Sequence, residues 1–438
     1  MTSQMTSQMA NPDAEKLGLI FFPAYDWAIS DTHPEREERL LYTHDQLREE
    51  GLLDFPGIRE YRPEAAGPED VLRAHVCPLG LDKVAALPHH ISAGGAITAG
   101  RLWAQGLVRK AFALVRPPGH HATLVVHGGR GFCNINNEAI MIERLRHEYG
   151  LRRVAIVDTD CHHGDGTQDI YWHDPDTLFI SLHQDGRTLY PGSGAYEEMG
   201  GPKAWGSTIN IPLPPETGDE GFLLATRLIV RPILDEWGPE LVVNSAGQDN
   251  HFTDPITNMK FTARGYAEMS ALIDPDVAVL EGGYAIQGAL PYTNLAIIMS
   301  MAGLDWHRVN EPAPRYGFPK TRPETLDYIE RLAEAIHRRR RNPIPAQSGS
   351  VLRDGWWERD RRIFSDTHAV TRDLEHSWPS FLNERRHEAL RDCPDCPGLL
   401  RIETSSEVFP KGGSFVRLPH DPCPKCLALA EDIRKGAG

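Results

Sequence analysis

Short apolar runs alternate with longer stretches of helical periodicity between about residues 17 and 300. The runs are LGLIFF (17–22), AFALV (111–115), RVAIVD (153–158), TLFISL (177–182), ELVVNS (240–245) and DVAVLE (276–281). Helix-period stretches lie between them, at 92–110, 137–149 and 219–237. Continuously apolar strands that alternate with helices are typical of a parallel sheet covered on both faces. The pattern therefore predicts one large α/β domain.

Polar, glycine-rich segments follow the apolar runs from the second run onward. RPPGHH follows AFALV, DTDCHHGDG follows RVAIVD, HQDGRTLYPGSG follows TLFISL, AGQDNH follows ELVVNS, and GGY follows DVAVLE. Ligands of such sheets bind outside the carboxyl ends of the strands. A purely structural role would not require polar loops at all of these ends, so the pattern indicates an active site centred on a metal.

The segment VDTDCHHGDGTQ (157–168) carries the densest group of metal-ligating residue types. Side chains alternate along an extended strand, so Asp158, Asp160 and His162 are expected on one face. Asp249 comes from the end of another strand. Two carboxylates and one imidazole leave open positions for water and substrate, as a catalytic zinc site requires. Iron(II) or cobalt would suit the same oxygen and nitrogen ligands.

Further candidates surround this group. A proline–glycine turn presents the adjacent pair His120 and His121, which is the obvious source of a general base. Neighbouring imidazoles need acceptors for their far nitrogens, and Asp158 and Asp165 are the carboxylates outside the ligand set. Tyr284 follows two glycines, and its phenol could donate to a developing oxyanion.

Composition and charge limit the classes of protein to which the chain can belong. The chain has 438 residues, of which 40% are hydrophobic and 24% charged, as in ordinary soluble globular proteins. The sequence has no apolar run of the roughly 18 to 20 residues that a bilayer span needs. A net charge of −15 argues against nucleic-acid binding. Residues 1–16 lack an apolar signal region and are expected to be a disordered leader, which with the cysteine usage predicts a cytoplasmic protein.

The character of the chain changes after about residue 310. RRRRNPIPAQSGS (338–350) is expected to be a linker or a surface excursion, followed by Trp-rich helical stretches. We expect the first domain to cover residues 17–375 and a cysteine-bearing tail to cover residues 385–432.

The cysteines of the tail form two CxxC pairs. Four thiolates at this spacing suit a tetrahedral structural zinc, which a short tail with little core would need. A redox-active pair of CxxC motifs is the rival interpretation. The residues concerned are Cys393, Cys396, Cys423 and Cys426.

Six segments together resemble the histone deacetylase family. They are RPPGHHA (116–122), GFCNINN (131–137), VDTDCHHGDGTQ, SLHQDG…YPGSG (181–194), SAGQD and LEGGY. They occur in the family's order over about residues 17–300, and they look closest to the class II-like bacterial amidohydrolases of the arginase–deacetylase fold. The resemblance implies a zinc-dependent deacetylase that hydrolyses the amide of an N-acyl amine such as acetyl-lysine.

The resemblance also assigns roles to residues of this chain. It implies that His121 acts as general base and then general acid, while His120 stabilises charge and positions the water. Asp158 would pair with His120 and Asp165 with His121, and Tyr284 would polarise the acyl carbonyl. The implied catalytic zinc ligands are Asp160, His162 and Asp249.

The family further holds a potassium ion beneath the zinc. Carried over to this chain, the potassium site would use Asp158, Ser181, Leu182 and the backbone carbonyl groups of Asp160 and His162.

The resemblance places the substrate in a narrow tunnel for an extended acyl chain. Phe132 would line the tunnel, and Gly282 and Gly283 would border the substrate beside the catalytic tyrosine. Asp82 is the candidate for the family's rim aspartate. Ile256 occupies the place where polyamine-specific relatives carry an acidic residue, which argues against a cationic polyamine.

Other functions remain open on the sequence alone. A small-molecule amidohydrolase acting on an acetylated polyamine or a secondary metabolite would use the same fold. A non-catalytic acyl-binding scaffold is a second alternative, although every mechanistic residue is present. An arginase-like dimanganese hydrolase is weaker, because the DTDCHH cluster lacks the extra acidic ligands of a second metal. The sequence leaves open whether the chain forms a homo-oligomer.

Overall fold

The computed structural model describes residues 14–436 except residues 31, 316, 345–348 and 367–380. These residues form an eight-stranded parallel sheet followed by a five-stranded antiparallel sheet. The α/β architecture predicted from the apolar runs is confirmed.

The parallel sheet has the order β2-β1-β3-β8-β7-β4-β5-β6. All six predicted apolar runs are strands of this sheet. The sequence did not predict β2 and β6, because IREY is short and charged and TINIPL is short and contains a proline. The strands are β1 (Glu15–Phe22), β2 (Ile58–Tyr61), β3 (Val108–Val115), β4 (Val154–Asp158), β5 (Thr177–Gln184), β6 (Thr208–Leu213), β7 (Leu241–Ala246) and β8 (Val277–Leu280).

Helices cover the parallel sheet and connect its strands. They are α1 (Leu41–Glu49), α2 (Pro68–Ala74), α3 (Leu87–Ala104), α4 (Asn137–Tyr149), α5 (Asp165–Tyr171), α6 (Asp219–Ala225), α7 (Arg231–Trp237), α8 (Ala263–Ile273), α9 (Leu290–Met301) and α10 (Pro323–Arg341). A π-helical turn joins α6 to α7, so the predicted helix over 219–237 is present. The helix predicted over 92–110 ends earlier, because β3 begins at Val108. In the described part of the chain, a helix with the length and apolarity of a bilayer span is not found.

Both faces of the parallel sheet are buried. Every residue of β4 is buried, and its side chains alternate between two apolar clusters. Ala155 and Val157 belong to one cluster, whereas Val154 and Ile156 belong to the other. This two-sided burial explains why β4 reads as a continuous apolar run, and it directs the polar residues after Asp158 to the end of the sheet.

The antiparallel sheet has the order β13-β12-β11-β10-β9. Its elements are β9 (Val351–Arg353), β10 (Trp356–Asp366), β11 (Phe381–Arg391), β12 (Leu400–Ser406) and β13 (Phe409–Arg417), followed by helix α11 (Pro424–Gly436). The expectation of Trp-rich helices after residue 350 is wrong for residues 351–366. Trp356 and Trp357 belong to β10, where the alternation of buried Ile363 and Ser365 with exposed Phe364 follows the two-residue period of a strand. Trp378 lies outside the described residues.

The antiparallel sheet crosses the domain boundary expected from the sequence. β10 lies within residues 17–375, yet it pairs along its whole length with β11, from Trp356 opposite Arg391 to Asp366 opposite Phe381. The expected leader over residues 1–16 lies mainly outside the described residues, and Glu15 and Lys16 already belong to β1.

A buried group of ion pairs joins the two sheets. Asp169 of α5 accepts hydrogen bonds from Arg361 of β10 and from Arg386 of β11, the latter at 2.7 Å. Arg386 also donates to Glu384, at 2.6 Å from its Nε atom. The same Asp169 carboxylate accepts from the backbone amide of Leu124, at 2.9 Å. The antiparallel sheet is therefore tied to the segment that follows the histidine pair.

Candidate active site

Three candidate ligands meet at the carboxyl ends of two neighbouring strands. Asp160 and His162 follow β4, and Asp249 follows β7, which pairs with β4 in the sheet. His162 Nδ1 lies 3.1 Å from Asp160 Oδ1 and 2.8 Å from Asp249 Oδ2. One ligand atom from each residue lies within 4.8 Å of the other two. The structure thus brings together the ligand set predicted from the sequence.

Backbone amides fix the orientation of the two carboxylates. Cys161 N donates to Asp249 Oδ1 at 2.7 Å, and His162 N donates to Asp160 Oδ1 at 2.8 Å. Gly282, which follows β8, donates to Asp160 Oδ2 at 2.7 Å. A Cβ atom at Gly282 would lie 2.6 Å from a carboxylate oxygen of both aspartates, so only glycine allows this approach. A third strand end therefore closes the ligand group.

The electrostatics of this group favour a bound cation. Burial opposes a charge on His162, but Asp249 and Asp160 raise its pKa to about 10. Two buried carboxylates require a nearby positive charge because isolated buried anions are costly. A divalent cation held by the same three side chains would supply that charge in place of the imidazole proton. Zn²⁺ accepts this combination of oxygen and nitrogen ligands.

Each histidine of the adjacent pair has its own carboxylate. His120 Nδ1 lies 3.0 Å from Asp158 Oδ2, and His121 Nδ1 lies 2.7 Å from Asp165 Oδ1. The centroids of the two imidazole rings are 4.1 Å apart. The structure therefore places both predicted pairs beside the ligand group, with His120 Nε2 at 3.7 Å from Asp160 Oδ1.

The two imidazoles have opposite proton affinities. Burial lowers the pKa of His121 to about 3, and the neighbouring His120 acts in the same direction. Burial also acts against the charged form of His120, but Asp160 and Asp158 raise its pKa well above 6.5. This difference keeps His121 neutral, so that its Nε2 atom can accept a proton while Nδ1 faces Asp165.

Tyr284 follows β8 and lies against two other side chains. Its ring centroid is 5.5 Å from that of Phe132, and the guanidinium of Arg39 lies 4.9 Å from its ring centroid. Its backbone amide donates to Asp254 at 2.8 Å. Burial raises the pKa of Tyr284 well above 10, with Asp249 and Asp160 adding to the effect. The phenol therefore keeps its proton and can donate a hydrogen bond.

Comparisons with known proteins identify the family of this chain. The model of the histone deacetylase domain matches residues 81–298. A protein of Archaeoglobus fulgidus described as a probable deacetylase is 46% identical over 327 residues, which cover 67% of this chain and 89% of the relative. The chain belongs to the histone deacetylase family.

Two further comparisons concern a bacterial relative and a solved structure. The histone deacetylase-like amidohydrolase of Pseudomonas aeruginosa is 36% identical over 223 residues, which cover 49% of this chain and 58% of that protein. The solved structure of an HDA15 HD domain superimposes with a TM-score of 0.64 at 24% identity, over 76% of this chain and 96% of that domain. This second likeness supports the fold.

Two residues of this family member's site were not assigned from the sequence. Tyr190 lies edge-on to His121 with the ring centroids 5.3 Å apart, and its centroid is 6.4 Å from that of His162. Arg130 donates from Nε to Asp165 Oδ2 at 2.8 Å, and its guanidinium lies 5.9 Å from the centroid of Tyr190. The sequence does offer a signal for Tyr190, because it is an aromatic residue in the polar segment YPGSG after β5.

Arg39 is a third residue that sequence reasoning missed. Its fully buried guanidinium donates to the backbone oxygen of Gly283 at 2.8 Å and to that of Glu281 at 2.6 Å. It also pairs with Glu35, which accepts a hydrogen bond from Arg116 at 2.7 Å. Arg39 therefore fixes the segment that carries Tyr284, and no local pattern around residue 39 indicates this.

Three residues predicted to contact the substrate, Phe132, Ile256 and Asp82, lie at different positions around the site. Phe132 has a φ of 71° and lies beside Tyr284, as a tunnel residue would. Ile256 is partly buried and donates from its backbone to Asp254 at 3.0 Å. Asp82 has a side chain that is 76% exposed and pairs with Lys83. Its role as the rim aspartate stays a prediction.

The implied potassium ligands are close in the sheet. Ser181 of β5 stands opposite Asp158 of β4, and both residues are buried, as is Leu182. The Ser181 hydroxyl also lies 2.9 Å from His183 Nδ1. This family member therefore has the residues of the implied potassium site in adjacent positions, and the ion itself stays a prediction.

The four cysteines of the two CxxC pairs, after β11 and at the start of α11, form a separate cluster. Cys393 Sγ lies 3.6 Å from Cys423 Sγ, and Cys396 Sγ lies 3.6 Å from Cys426 Sγ. Four sulfur atoms at about 2.3 Å from one Zn²⁺ lie about 3.8 Å apart in a tetrahedron, whereas a disulfide brings two sulfur atoms to about 2.05 Å. The geometry fits a structural metal better than a pair of redox-active disulfides.

Proposed function

We propose that this chain is a zinc-dependent deacetylase that hydrolyses the amide bond of an N-acyl amine, with an acetyl-lysine side chain as substrate. The observation that carries the proposal is the meeting of the Asp160, His162 and Asp249 group with the His121–Asp165 pair. A metal-binding group with an adjacent neutral imidazole is the arrangement that amide hydrolysis needs, because the nucleophile and the leaving nitrogen both require proton transfer.

The ligand group would hold the catalytic cation through one atom of each residue. When bound, Zn²⁺ supplies Lewis acidity, which polarises an acyl carbonyl and makes water a better nucleophile near neutral pH. Asp160 and Asp249 are held by backbone amides, so their orientation does not depend on the cation. Preorganised carboxylates and a buried imidazole support this proposal.

His121 would carry the proton during hydrolysis. Asp165 holds its Nδ1 atom, which leaves Nε2 to accept a proton from the attacking water. As the carbon–nitrogen bond breaks, the same proton passes from His121 to the leaving amine. Arg130 pairs with the far oxygen of Asp165 and so keeps that carboxylate ionised and oriented. His120 would orient the water beside the ligand group.

Tyr284 would stabilise the oxygen of the tetrahedral intermediate by donating its phenolic hydrogen. Its raised pKa keeps the donor in place across neutral pH, and Arg39 fixes the preceding backbone. A donor of this kind typically contributes about 100- to 1000-fold to the rate. The position of Tyr284 beside Phe132 supports its role at the inner end of an acyl tunnel.

A small acylated amine is the second candidate substrate. It is favoured by the likeness to a protein described as a histone deacetylase-like amidohydrolase. Ile256 lacks the negative charge that would attract a cationic polyamine, which argues against a polyamine among the small amines. The exposed position of Asp82 gives no contact among the described residues that would grip a peptide backbone. The choice between these amines is therefore decided by assay.

The structural zinc at the cysteine cluster and the potassium ion beneath Asp158 complete the proposed metal content. A cytoplasmic location, the absence of nucleic-acid binding and the formation of a homo-oligomer stay predictions from the sequence.

The proposal is tested with the purified full chain. Zinc-loaded protein is assayed against acetyl-lysine peptides and against acetylated diamines, and Asp249→Asn is compared with the surface variant Asp305→Asn. We expect the peptides to be hydrolysed, turnover to be abolished by Asp249→Asn, and Asp305→Asn to behave as wild type. Turnover of the diamines alone would identify the small-molecule enzyme. Release of amine from none of these amides would refute the deacetylase.

A further inference from the structure

A carboxylate from the antiparallel sheet reaches the wall of the active site. Asp366, at the end of β10, accepts a hydrogen bond from the backbone amide of Gly131 at 3.1 Å. Burial raises the pKa of Tyr190, and the nearby carboxylates of Asp165 and Asp366 add to the effect. Gly131 and Tyr190 belong to two different loops of the parallel-sheet domain. Asp366 therefore joins the Gly131 loop to a strand of the second sheet and places a negative charge near the Tyr190 loop.

The first of these loops packs directly against the general base. A Cβ atom at Gly131 would lie 2.2 Å from His121 Cδ2, so the backbone itself covers the imidazole. Gly131 and the following Phe132 both have left-handed backbone conformations, with φ of 51° and 71°. A left-handed conformation is unfavourable for phenylalanine and persists only where surrounding contacts hold it. The Gly131–Asp366 hydrogen bond is such a contact.

The second loop presents Tyr190 at the open side of the site. The tyrosine is 36% exposed, while its ring lies edge-on to His121. The Arg130 guanidinium lies beside the ring as well. Arg130 directly precedes Gly131, so the turn that Asp366 holds also carries a side chain that packs against Tyr190.

The strand that carries Asp366 is itself firmly attached. Arg361, on the same strand, pairs with Asp169 of α5. That carboxylate also accepts from Leu124, which follows the histidine pair by three residues. β10 is thus held through Arg361 to α5, the helix that begins at Asp165, and this gives Asp366 a defined position relative to His121.

We propose that Asp366 is a positioning residue that sets the width of the acyl tunnel by holding the Gly131–Phe132 turn. The antiparallel sheet is then part of the active site and not only an appendage. This inference rests on the proposed deacetylase function. It assigns Asp366 an effect on substrate binding, because the turn it holds carries the tunnel residue Phe132, whereas the groups that transfer protons keep their own partners.

The test is a kinetic comparison of variants in the full-length protein. For Asp366→Ala we expect KM for an acetyl-lysine peptide to rise about tenfold, with kcat within about threefold of wild type, since a charge-assisted hydrogen bond of this kind is lost. Asp366→Asn keeps an acceptor for Gly131 and should restore most of the affinity. The matched control is Asp360→Ala on the same strand, whose side chain is 90% exposed and pairs with His387.

A second variant tests the hydrogen bond itself. Asp366→Leu has a side chain of similar size but no acceptor, so it should raise KM as Asp366→Ala does. This variant decides the question if Asp366→Ala does not fold. Kinetics of these variants equal to those of Asp360→Ala would overturn the proposal. A lower kcat at unchanged KM would do so as well.

A binding measurement distinguishes failure of the positioning role from failure of the proposed function. Affinity for an alkyl hydroxamate is measured by calorimetry for zinc-loaded wild type and for Asp366→Ala. If wild type hydrolyses no acyl amine, a tenfold weaker affinity of Asp366→Ala still supports the positioning role, with the fold-change as in the kinetic test. Equal affinities of the two proteins would refute the positioning role, whatever reaction the protein catalyses.

Discussion

The Nδ1 atom of His121 lies 2.7 Å from Oδ1 of Asp165, and the other oxygen of that carboxylate accepts a hydrogen bond from Arg130. The arginine and the imidazole thus share one carboxylate. Burial raises the energy of the Asp165 anion, but Arg130 and then His121 hold the pKa of Asp165 well below 3.8. The carboxylate stays ionised at neutral pH and fixes the tautomer in which His121 Nε2 is free to accept a proton.

Replacing Asp165 with asparagine removes the charge that orients this base. For Asp165→Asn we expect kcat to fall by about 100-fold or more, since general-base catalysis typically contributes about 100- to 10,000-fold. Steady-state kinetics on an acetyl-lysine peptide measure the effect. Asp305→Asn, at a surface residue, should leave kcat unchanged. A kcat within about twofold of wild type for Asp165→Asn would show that the pair has no catalytic role.

Tyr284 offers a second kinetic test, of a hydrogen-bond donor. Tyr284→Phe keeps the ring between Arg39 and Phe132 but removes the phenolic hydrogen. We expect kcat to fall about 100- to 1000-fold with a small change in KM, because the donor acts mainly on the developing oxyanion. The comparison is Tyr25→Phe, at a tyrosine that is 47% exposed. An unchanged kcat in Tyr284→Phe would remove the oxyanion role.

The cysteine cluster predicts the metal content of the protein. Cys396→Ser combined with Cys423→Ser leaves two of four ligands, so elemental analysis should find the zinc content reduced from about two ions to about one per chain. We also expect a lower thermal midpoint, because a metal held by the four cysteines would connect the end of β11 to the start of α11. Cys77→Ser should retain both ions. Loss of no zinc in the double variant would contradict a structural metal site.

The ion pairs between the two sheets predict that two neighbouring arginines of β11 contribute unequally to stability. Arg386→Met removes the arginine partner of the buried Glu384 and leaves Asp169 with Arg361 alone, and we expect the free energy of unfolding to fall by about 3–5 kcal/mol. Arg385→Met, one residue earlier on the exposed face of β11, should change it by less than about 0.5 kcal/mol. Urea denaturation measures both values. Similar values for the two variants would show that the buried pairs add little.

Asp219 predicts a dependence of stability on pH. Burial raises the pKa of Asp219 from 3.8 to about 6, against the opposing hydrogen bonds from Thr262. The folded state then binds more protons than the unfolded state between about pH 4 and 6, so the free energy of unfolding decreases as pH rises through this range. The loss is up to about 3 kcal/mol, at about 1.4 kcal/mol per unit of pKa.

Asp219→Asn removes this titration. Urea denaturation at pH 4.5 and at pH 7 should show the variant gaining stability relative to wild type as the pH rises. Asp360→Asn, on an exposed side chain, provides the comparison. A difference between Asp219→Asn and wild type that stays the same at both pH values would contradict the raised pKa.

Much of the site was predictable because its residues are local in sequence. Asp158, Asp160 and His162 lie within five residues at the end of β4, and the polar loops after parallel strands must meet at one edge of the sheet. Adjacent histidines cannot be far apart, and neither can the members of a CxxC pair. In these cases the spacing along the chain and the geometry of one strand or turn already limit the distance in space.

Other parts of the fold were not predictable from local patterns. The segment of β10 has tryptophans and charged residues without a clear apolar run, and it becomes a strand because β11 and β9 pair with it on either side. Arg39 and Gly283 are distant in the sequence, and so are Asp366 and Gly131. No periodicity of either partner indicates such a contact.

The sequence by itself determined the parallel sheet, the edge at which its polar segments meet, the candidate ligand and base residues, and the four-cysteine group. Only the tertiary structure decided which side chains hold the segment of Tyr284 and the turn at Gly131, and that the second sheet reaches the candidate site. The physical reason is that backbone periodicity and short spacing act within one element. Hydrogen bonds of buried arginines and carboxylates, in contrast, form between elements whose proximity depends on the packing of the whole chain.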